Sequence, residues 1–229
     1  MRYEIAQAVR ILCSGGVLGI DGAVSARDGE TMWINARGTN PQAVTPSDVV
    51  RIALRDGSTV EGEGEPPEEY HLHRAIFARR SDVGAIAHSA PEHVVALSIA
   101  GRALVPVNSI GSFLFETTPA FAEEIPITTP ERAAALADAL GASPALVLRG
   151  RGLVIAAPTV ETALAWTTSA EENARHLYHA ALLGEPAVLR GDELAAVARE
   201  NWAPIIVRKH WNYQAETARK AGAFDGIDE

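Results

Sequence analysis

The chain has 229 residues, 47% hydrophobic and 21% charged, with a formal net charge of −9 and a pI near 5.3. This length suits one domain with a substantial core, and the composition excludes a disordered chain. The acidic balance argues against nucleic acid and anionic membranes as partners, and no apolar run reaches the roughly 18 residues that span a bilayer.

The single cysteine, Cys13, leaves the chain without an internal disulfide and without a cysteine pair for zinc. The N-terminal residues lead into an amphipathic pattern and lack the apolar core of a secretory signal. We therefore expect a cytoplasmic enzyme or binding protein.

The N-terminal part of the chain combines one helix with strands and tight turns. In chain order, the pattern predicts a helix at 3–15, a buried strand at 17–20 running into 22–27, a strand at 31–35, a capped turn at 45–48, and strands at 50–54 and 58–61. Asp28-Gly29 and Asp56-Gly57 are hairpin signals between consecutive strands. Such hairpins favour antiparallel pairing.

The rest of the chain interleaves helices and strands. In chain order, the pattern predicts a helix at 68–79, a strand at 83–87, a helix at 91–100, short strands at 104–107 and 110–115, a helix at 129–140, strands at 145–148 and 153–156, a long helix from 158, and helices at 192–201 and 204–221. No repeat or domain boundary is evident. Residues 1–229 are therefore predicted to form one α/β domain with a mixed or antiparallel sheet.

Titratable side chains concentrate in one short stretch. Between residues 68 and 93 lie two adjacent carboxylates and four of the seven histidines, Glu68, Glu69, His71, His73, His88 and His93. Such a cluster is typical of a metal or proton-transfer site. Glu69 and His73 share a face of the predicted helix, so both are candidates to act on one substrate. However, the position two residues after His88 is Ala90, which has no donor atom, so the ligand set is incomplete.

The order of the motifs resembles the class II aldolase/adducin family, from about residue 5 to about residue 215. The motifs are Gly22-Ala23-Val24-Ser25, Asn35-Ala36-Arg37-Gly38, Pro67-Glu68-Glu69 through His73, His88-Ser89-Ala90, and Gly150-Arg151-Gly152. The resemblance implies a single-domain α/β/α sandwich with a mixed, mainly antiparallel central sheet. It also implies a homotetramer with active sites between subunits, in which the helical segment at about 204–221 covers the cleft.

The resemblance also indicates which of the family's metal-binding and phosphate-binding residues this chain lacks. In the family three histidines hold a divalent metal, usually zinc, and an acid transfers a proton. Glu69 corresponds to that acid and His88 to one ligand, whereas the other two ligand positions are Ala90 and Arg151. One histidine and one carboxylate hold zinc poorly, so we expect no metal and no other cofactor. The family's phosphate-binding positions are altered as well, for example at Ala23, which predicts a non-phosphorylated substrate.

Two arginines suggest what chemistry remains. Arg151 keeps a positive charge near the missing metal, and Arg37 adds a second guanidinium at the substrate end of the cleft. These residues predict a lyase, either a decarboxylase or an aldolase-like enzyme, for a small carboxylate-bearing substrate. The predicted catalytic residues are Glu69, as general acid/base, His88 and Arg151. Predicted substrate-binding residues are Arg37, Ser25, Asn35, Gly38, Ser89, His93 and Tyr213. Phe113 and Phe115 favour an aromatic substrate.

Two other classes of function stay open. In the first, His88, Glu69 and either His93 or His71 bind iron, zinc or another divalent ion in a rebuilt site, as in a non-haem iron oxygenase or a divalent-metal lyase acting on an aromatic or hydroxy acid. In the second, the chain is a non-catalytic, adducin-like binding or scaffold protein, in which Arg151 only pairs with Glu69 in a vacated hole. Metal content separates the first class from a metal-free lyase, and ligand binding separates the second.

Overall fold

Eight strands form one sheet in the computed structural model, which describes residues 1–227. In chain order they are β1 (Ala23–Asp28), β2 (Thr31–Asn35), β3 (Val49–Ala53), β4 (Thr59–Glu61), β5 (Ala85–Ser89), β6 (Ala120–Phe121), β7 (Ala145–Leu148) and β8 (Gly152–Ala157). Their order across the sheet is β4-β3-β2-β1-β5-β8-β7-β6. All neighbours are antiparallel except β6 and β7, which confirms the predicted mixed, mainly antiparallel sheet.

Helices cover both faces of this sheet. They are α1 (Arg2–Ser14), α2 (Tyr70–Arg79), α3 (Glu92–Ile99), α4 (Pro130–Leu140), α5 (Val160–Leu183), α6 (Gly191–Asn201) and α7 (Pro204–Lys220). Side chains alternate along each strand, so Val24 of β1 belongs to the core cluster formed with α1, α3, α5 and α7, whereas Ile34 of β2 belongs to the cluster formed with α2 and α4. The predicted α/β/α sandwich is confirmed. None of the helices within residues 1–227 is both long and apolar enough to cross a bilayer.

Local chemistry explains why most element boundaries were predictable. At the hairpin between β1 and β2, Gly29 has a φ of 60°, a left-handed conformation that glycine adopts without a steric penalty. Thr129 and Thr159 begin α4 and α5, where each side chain accepts a hydrogen bond from a backbone N–H three residues later. Turn glycines and capping threonines act on residues only a few positions away, so they can be recognised from the sequence alone.

Three predicted strands are wrong, and hydrogen bonds give the reason. Residues 17–20 form a connection rather than a strand, because the N–H groups of Val17 and Leu18, which are buried, bond to the carbonyl of Leu12 at the end of α1. The segments 104–107 and 110–115 are also not strands. In the first segment the fully buried Asn173 of α5 donates to the carbonyl of Val105 and accepts from the N–H of Val107, and so replaces a partner strand. In the second, a 3-10 turn at Ser109–Gly111 satisfies the backbone locally. Strand β6 was not predicted.

The C-terminal helix α7 packs against α1 and α5. It therefore lies on the face of the sheet opposite α2, and Tyr213 on α7 is 69% exposed. Within one chain, α7 is on the other side of the sheet from the residues around Glu69. Any cover that α7 provides would have to act on a neighbouring chain, and this remains a prediction.

Candidate active site

A cleft with two compartments opens at the N-terminal end of α2. The outer compartment, of about 270 Å³, is lined by Ile20–Gly22, Asn35–Thr39, Pro67–Glu69, Pro126 and Arg151. The inner compartment, of about 250 Å³, is lined by Gly19–Gly22, Glu69, His88–Ala90 and Arg151. Glu69 and Arg151 belong to both compartments and form part of the wall between them. The cleft thus collects most of the residues that the sequence selected.

An ion pair between Glu69 and Arg151 forms the centre of this cleft. Oε2 of Glu69 lies 2.7 Å from Nη2 of Arg151, and the side chains are only 11% and 19% exposed. Oε1 of Glu69 accepts a hydrogen bond of 2.6 Å from the backbone N–H of Ile127. The carboxylate is therefore held at both oxygens, and its orientation towards the cleft is fixed.

Backbone geometry places each partner of the ion pair. Glu69 is the N-cap residue of α2, where the helix dipole favours a negative charge. Arg151 lies in the tight turn between β7 and β8, flanked by Gly150 and Gly152. A side chain at Gly152 would lie 2.0 Å from the carbonyl oxygen of Ser89 on β5, so only glycine allows the turn to approach β5.

The protonation states follow from the surroundings of the two titratable groups. Burial alone would raise the pKa of Glu69, but attraction to His88, the Arg151 hydrogen bond and the Ile127 N–H outweigh it and hold that pKa below its ordinary value. Burial lowers the pKa of His88, and Arg151 lowers it further against the attraction of Glu69 and Asp21. At neutral pH Glu69 is therefore a carboxylate, and His88 is a neutral imidazole.

His73 does not face the cleft with Glu69 as expected. It is 1% exposed, and its Nδ1 lies 2.7 Å from Oγ of Ser25, which is fully buried on β1. Burial, together with the nearby His88, lowers the pKa of His73 to about 3. The pair joins α2 to the sheet beneath the cleft, so Ser25 lies behind the site and contacts His73.

This buried histidine predicts acid sensitivity. The folded protein keeps His73 neutral, whereas the unfolded chain binds a proton below its ordinary pKa of 6.5. Folding stability is therefore lost as the pH falls below that value, by about 1.4 kcal/mol per pH unit for this group. We expect urea unfolding at pH 6, 5.5 and 5 to approach this slope, and the variant His73→Gln to show a shallower one. An unchanged slope in the variant would assign the acid sensitivity to other groups.

Arg37 lies at the outer rim. Its Nη2 is 2.6 Å from Oε1 of Glu68, and both side chains are more than half exposed. The backbone N–H of Arg37 donates to the carbonyl of Glu65, and Gly38 has a φ of 78°, which reverses the chain after β2. Arg37 and Gly38 therefore line the outer compartment, with the guanidinium exposed at its rim, and their predicted binding of substrate stays a prediction.

The remaining predicted substrate-binding residues lie in different places. Asn35 lines the outer compartment, but its amide bonds to the N–H of Val24 and the carbonyl of Gly22. Ser89 borders the inner compartment at the end of β5, and strand alternation turns its side chain away from that of His88. His93 faces α5, where its Nδ1 lies 2.6 Å from Oε1 of Glu171.

The donor set does not fit a three-histidine zinc centre. His88 and Glu69 are present, but Ala90 offers no donor atom, and Arg151 brings a positive charge against the carboxylate. The ring of His93 is engaged by Glu171, so His88, Glu69 and His93 are not assembled as a rebuilt centre. Across residues 1–227 there is no cluster of three or more His, Cys, Asp and Glu side chains arranged for a metal ion.

Several residues that line the cleft were not predicted from the sequence, and two of them, Ile20 and Asp21, have side chains suited to binding. Ile20 and Asp21 line both compartments, on a loop between Gly19 and Gly22 that precedes β1. The available signal was a large apolar side chain next to a carboxylate in a turn bounded by glycines. That signal was hidden because residues 17–20 were interpreted as a strand.

Comparisons with known proteins identify relatives of this chain. The model of the class II aldolase and adducin N-terminal domain matches residues 3–178. A 3,4-dihydroxyphthalate decarboxylase of Arthrobacter keyseri is 33% identical over 179 residues, which cover 71% of each chain. The enzyme of the same name from Terrabacter sp. (strain DBF63) is 31% identical over 212 residues, 86% of this chain and 88% of that one. The structure of an L-fuculose 1-phosphate aldolase from Glaciozyma antarctica PI12 has the same fold, with a TM-score of 0.82, 20% identity, and coverage of 96% of this chain and 89% of that one.

Proposed function

The chain belongs to the family of class II aldolases and adducin N-terminal domains, and from this membership we propose that it is a carbon–carbon lyase that decarboxylates a hydroxylated aromatic acid. The observation that carries the proposal is the largely buried ion pair of Glu69 and Arg151 between the two compartments. It places a base beside a fixed positive charge. The decarboxylase relatives, similar over most of this chain, support the reaction class.

The cations of the cleft suit a substrate with two carboxylates. Arg37 is accessible at the outer rim, and Arg151 lies at the junction of the compartments. A guanidinium binds a carboxylate through two parallel hydrogen bonds, which fixes its position as well as its charge. We propose that Arg37 binds the carboxylate that is retained, and that the carboxylate to be lost lies near Arg151. A dihydroxyphthalate has this pattern of two adjacent carboxylates.

The ionised state of Glu69 defines its part in the reaction. Its depressed pKa keeps it ionised, and so able to accept a proton, in the free enzyme. We propose that Glu69 accepts the proton of the ring hydroxyl adjacent to the scissile carboxylate, and that Arg151 stabilises the oxyanion that forms. Glu69 then delivers this proton to the ring carbon that bears the carboxylate. The bond to the carboxylate breaks, CO2 leaves, and the electron pair restores the aromatic ring. The phenolate finally takes a proton from water.

Aldol cleavage is the second candidate, since it needs the same two groups. Glu69 would accept the proton of a substrate hydroxyl, the adjacent carbon–carbon bond would break, and Arg151 would stabilise the enolate. The exposed Glu68 next to Arg37 disfavours a phosphate dianion in the outer compartment, so a sugar phosphate fits less well than a carboxylate.

The test is turnover of 3,4-dihydroxyphthalate by protein purified without added metal. We expect CO2 release and formation of a dihydroxybenzoate, at a rate unchanged after dialysis against EDTA, because Arg151 supplies the positive charge. The matched control substrate is L-fuculose 1-phosphate, for which no cleavage is expected. Metal analysis of the same sample completes the experiment.

Each alternative has its own outcome. Stoichiometric iron or zinc, with activity lost on chelation and restored by that metal, would replace this proposal with a rebuilt metal site. Cleavage of the sugar phosphate would identify an aldolase. A protein that binds none of a set of aromatic and hydroxy carboxylates in thermal-shift measurements would behave as an adducin-like scaffold.

A further inference from the structure

The loop Gly19–Gly22 borders both compartments of the cleft, and the sequence predicts no role for two of its residues, Ile20 and Asp21. Resting on the decarboxylase proposed above, we propose that this loop selects the substrate. Ile20 packs against the aromatic ring, and Asp21 accepts a hydrogen bond from a ring hydroxyl. The loop would thereby distinguish a hydroxylated aromatic acid from an aliphatic acid of equal charge.

The loop is held in place at both ends. Leu18, just before it, is 6% exposed in the core, and the N–H of Gly22 donates to the carbonyl of Gly19 over 3.0 Å. The amide of Asn35 donates to the carbonyl of Gly22 over 3.3 Å and accepts from the N–H of Val24. A Cβ on Gly22 would come within 2.5 Å of Leu18, so the chain is closely packed here. Ile20 and Asp21 are thus presented by a supported turn, with Asn35 as a positioning residue.

Ile20 is the largest apolar side chain that lines either compartment. It is 85% exposed, so the fold of the isolated chain gains little from it. The other apolar lining consists of alanines and prolines, and the rest is glycine, polar or charged. An aromatic ring bound between the two arginines would find its main apolar contact at Ile20. Burying that contact contributes to binding only when the ligand itself carries apolar surface.

Asp21 complements the two arginines chemically. A guanidinium only donates hydrogen bonds and a carboxylate only accepts them, so Arg37 and Arg151 suit carboxylates whereas Asp21 suits a hydroxyl. Attraction to Asp21 acts to raise the pKa of His88, which indicates that the Asp21 charge acts on the inner compartment. Glu69 already accepts bonds from Arg151 and Ile127. Asp21 therefore provides a further acceptor in the cleft.

The experiment compares ligands that differ by one feature each. Binding of phthalate, of maleate and of 3,4-dihydroxyphthalate is measured by calorimetry for the intact protein and its variants, with the hydroxylated acid on ice to limit turnover. Phthalate and maleate share two adjacent carboxylates, but only phthalate has a ring. We expect Ile20→Ser to weaken phthalate binding by about tenfold and to change maleate binding less than about twofold. Ile20→Leu should bind phthalate like the parent protein.

The hydroxyl is tested in the same way. We expect Asp21→Asn to lower the affinity for 3,4-dihydroxyphthalate by about tenfold and the affinity for phthalate by less than about twofold, because phthalate has no hydroxyl to donate. The control variant is Ile99→Ser, an exposed isoleucine on α3 that lines neither compartment, and all affinities should be unchanged in it.

The outcomes separate this inference from the proposed reaction. Equal weakening of phthalate and maleate by Ile20→Ser, or no weakening of phthalate, overturns the role of Ile20 even when the protein is an active decarboxylase. Equal effects of Asp21→Asn on the hydroxylated and unhydroxylated acids overturn the role of Asp21. Selective binding without CO2 release supports the loop and overturns the decarboxylase. A parent protein that binds none of the three acids overturns both proposals.

Discussion

Replacing Glu69 by glutamine is expected to lower kcat by about a hundred- to ten-thousandfold, the usual contribution of a positioned general acid/base. Glutamine keeps the shape of the side chain, and its carbonyl oxygen still accepts the N–H of Ile127. The variant therefore removes the proton-transfer group with little change to the fold. The measurement is steady-state turnover of 3,4-dihydroxyphthalate, with calorimetric binding of the same acid to show that the substrate still enters.

The pH dependence of kcat/KM gives a second, independent test of the role of Glu69. Because the pKa of Glu69 is depressed, the reactive carboxylate is present at neutral pH and is lost only as the pH falls below the ordinary carboxyl value of 4.5. We expect kcat/KM to show no limb from Glu69 between pH 5 and pH 7. The matched control is Asp138→Asn on α4, which breaks an exposed ion pair with Arg79 and should leave turnover unchanged. Near-normal turnover of Glu69→Gln would exclude Glu69 as the base.

Replacing Arg151 by glutamine is expected to lower kcat by about a hundred- to a thousandfold, because the oxyanion loses its fixed positive charge. The largely buried Glu69 also loses its ionic partner, so the free energy of unfolding should fall by about 1–3 kcal/mol. Arg151→Lys keeps a charge without the planar pair of donors, and should retain an intermediate rate. Turnover and urea unfolding are measured on the same preparations.

Two controls keep catalytic and structural effects of Arg151 apart. Arg149→Gln removes a guanidinium two residues earlier in the same region, paired with Glu124 at an exposed position, and should change neither rate nor stability appreciably. The double variant Glu69→Gln with Arg151→Gln removes both charges, and should recover stability without recovering activity. Normal turnover in Arg151→Gln, with only the free energy of unfolding lowered, would reduce Arg151 to a structural counter-ion.

The structure also shows that the histidines clustered in the sequence do not lie together in one site. The sequence placed four histidines within about 25 residues, which suggested ligands or bases. In the fold, His73 is an interior contact of Ser25, and His93 pairs with Glu171 on α5. His88 remains at the cleft, beside Glu69 and Arg151. Proximity along the chain therefore suggested more histidines in the cleft than the fold places there, because strand alternation and helix phase direct neighbouring side chains to different layers.

The sequence by itself determined those features that depend on interactions between residues close together in the chain. Hairpin glycines, capping threonines and apolar periodicity predicted most helices and strands, and the motif register located Glu69, His88, Ala90 and Arg151. That the side chains of Ala90 and Arg151 cannot act as neutral metal ligands was also evident from the sequence, since it depends only on residue identity.

Only the tertiary structure decided which of these groups meet. The 2.7 Å contact of Glu69 with Arg151 joins residues 82 positions apart. The loop of Ile20 and Asp21 enters the cleft because Asn35, on a neighbouring strand, holds its end. The apolar segment at 104–107 became a connection because the buried amide of Asn173 satisfied its backbone. Each outcome depends on hydrogen bonds between distant segments, which local sequence patterns do not encode.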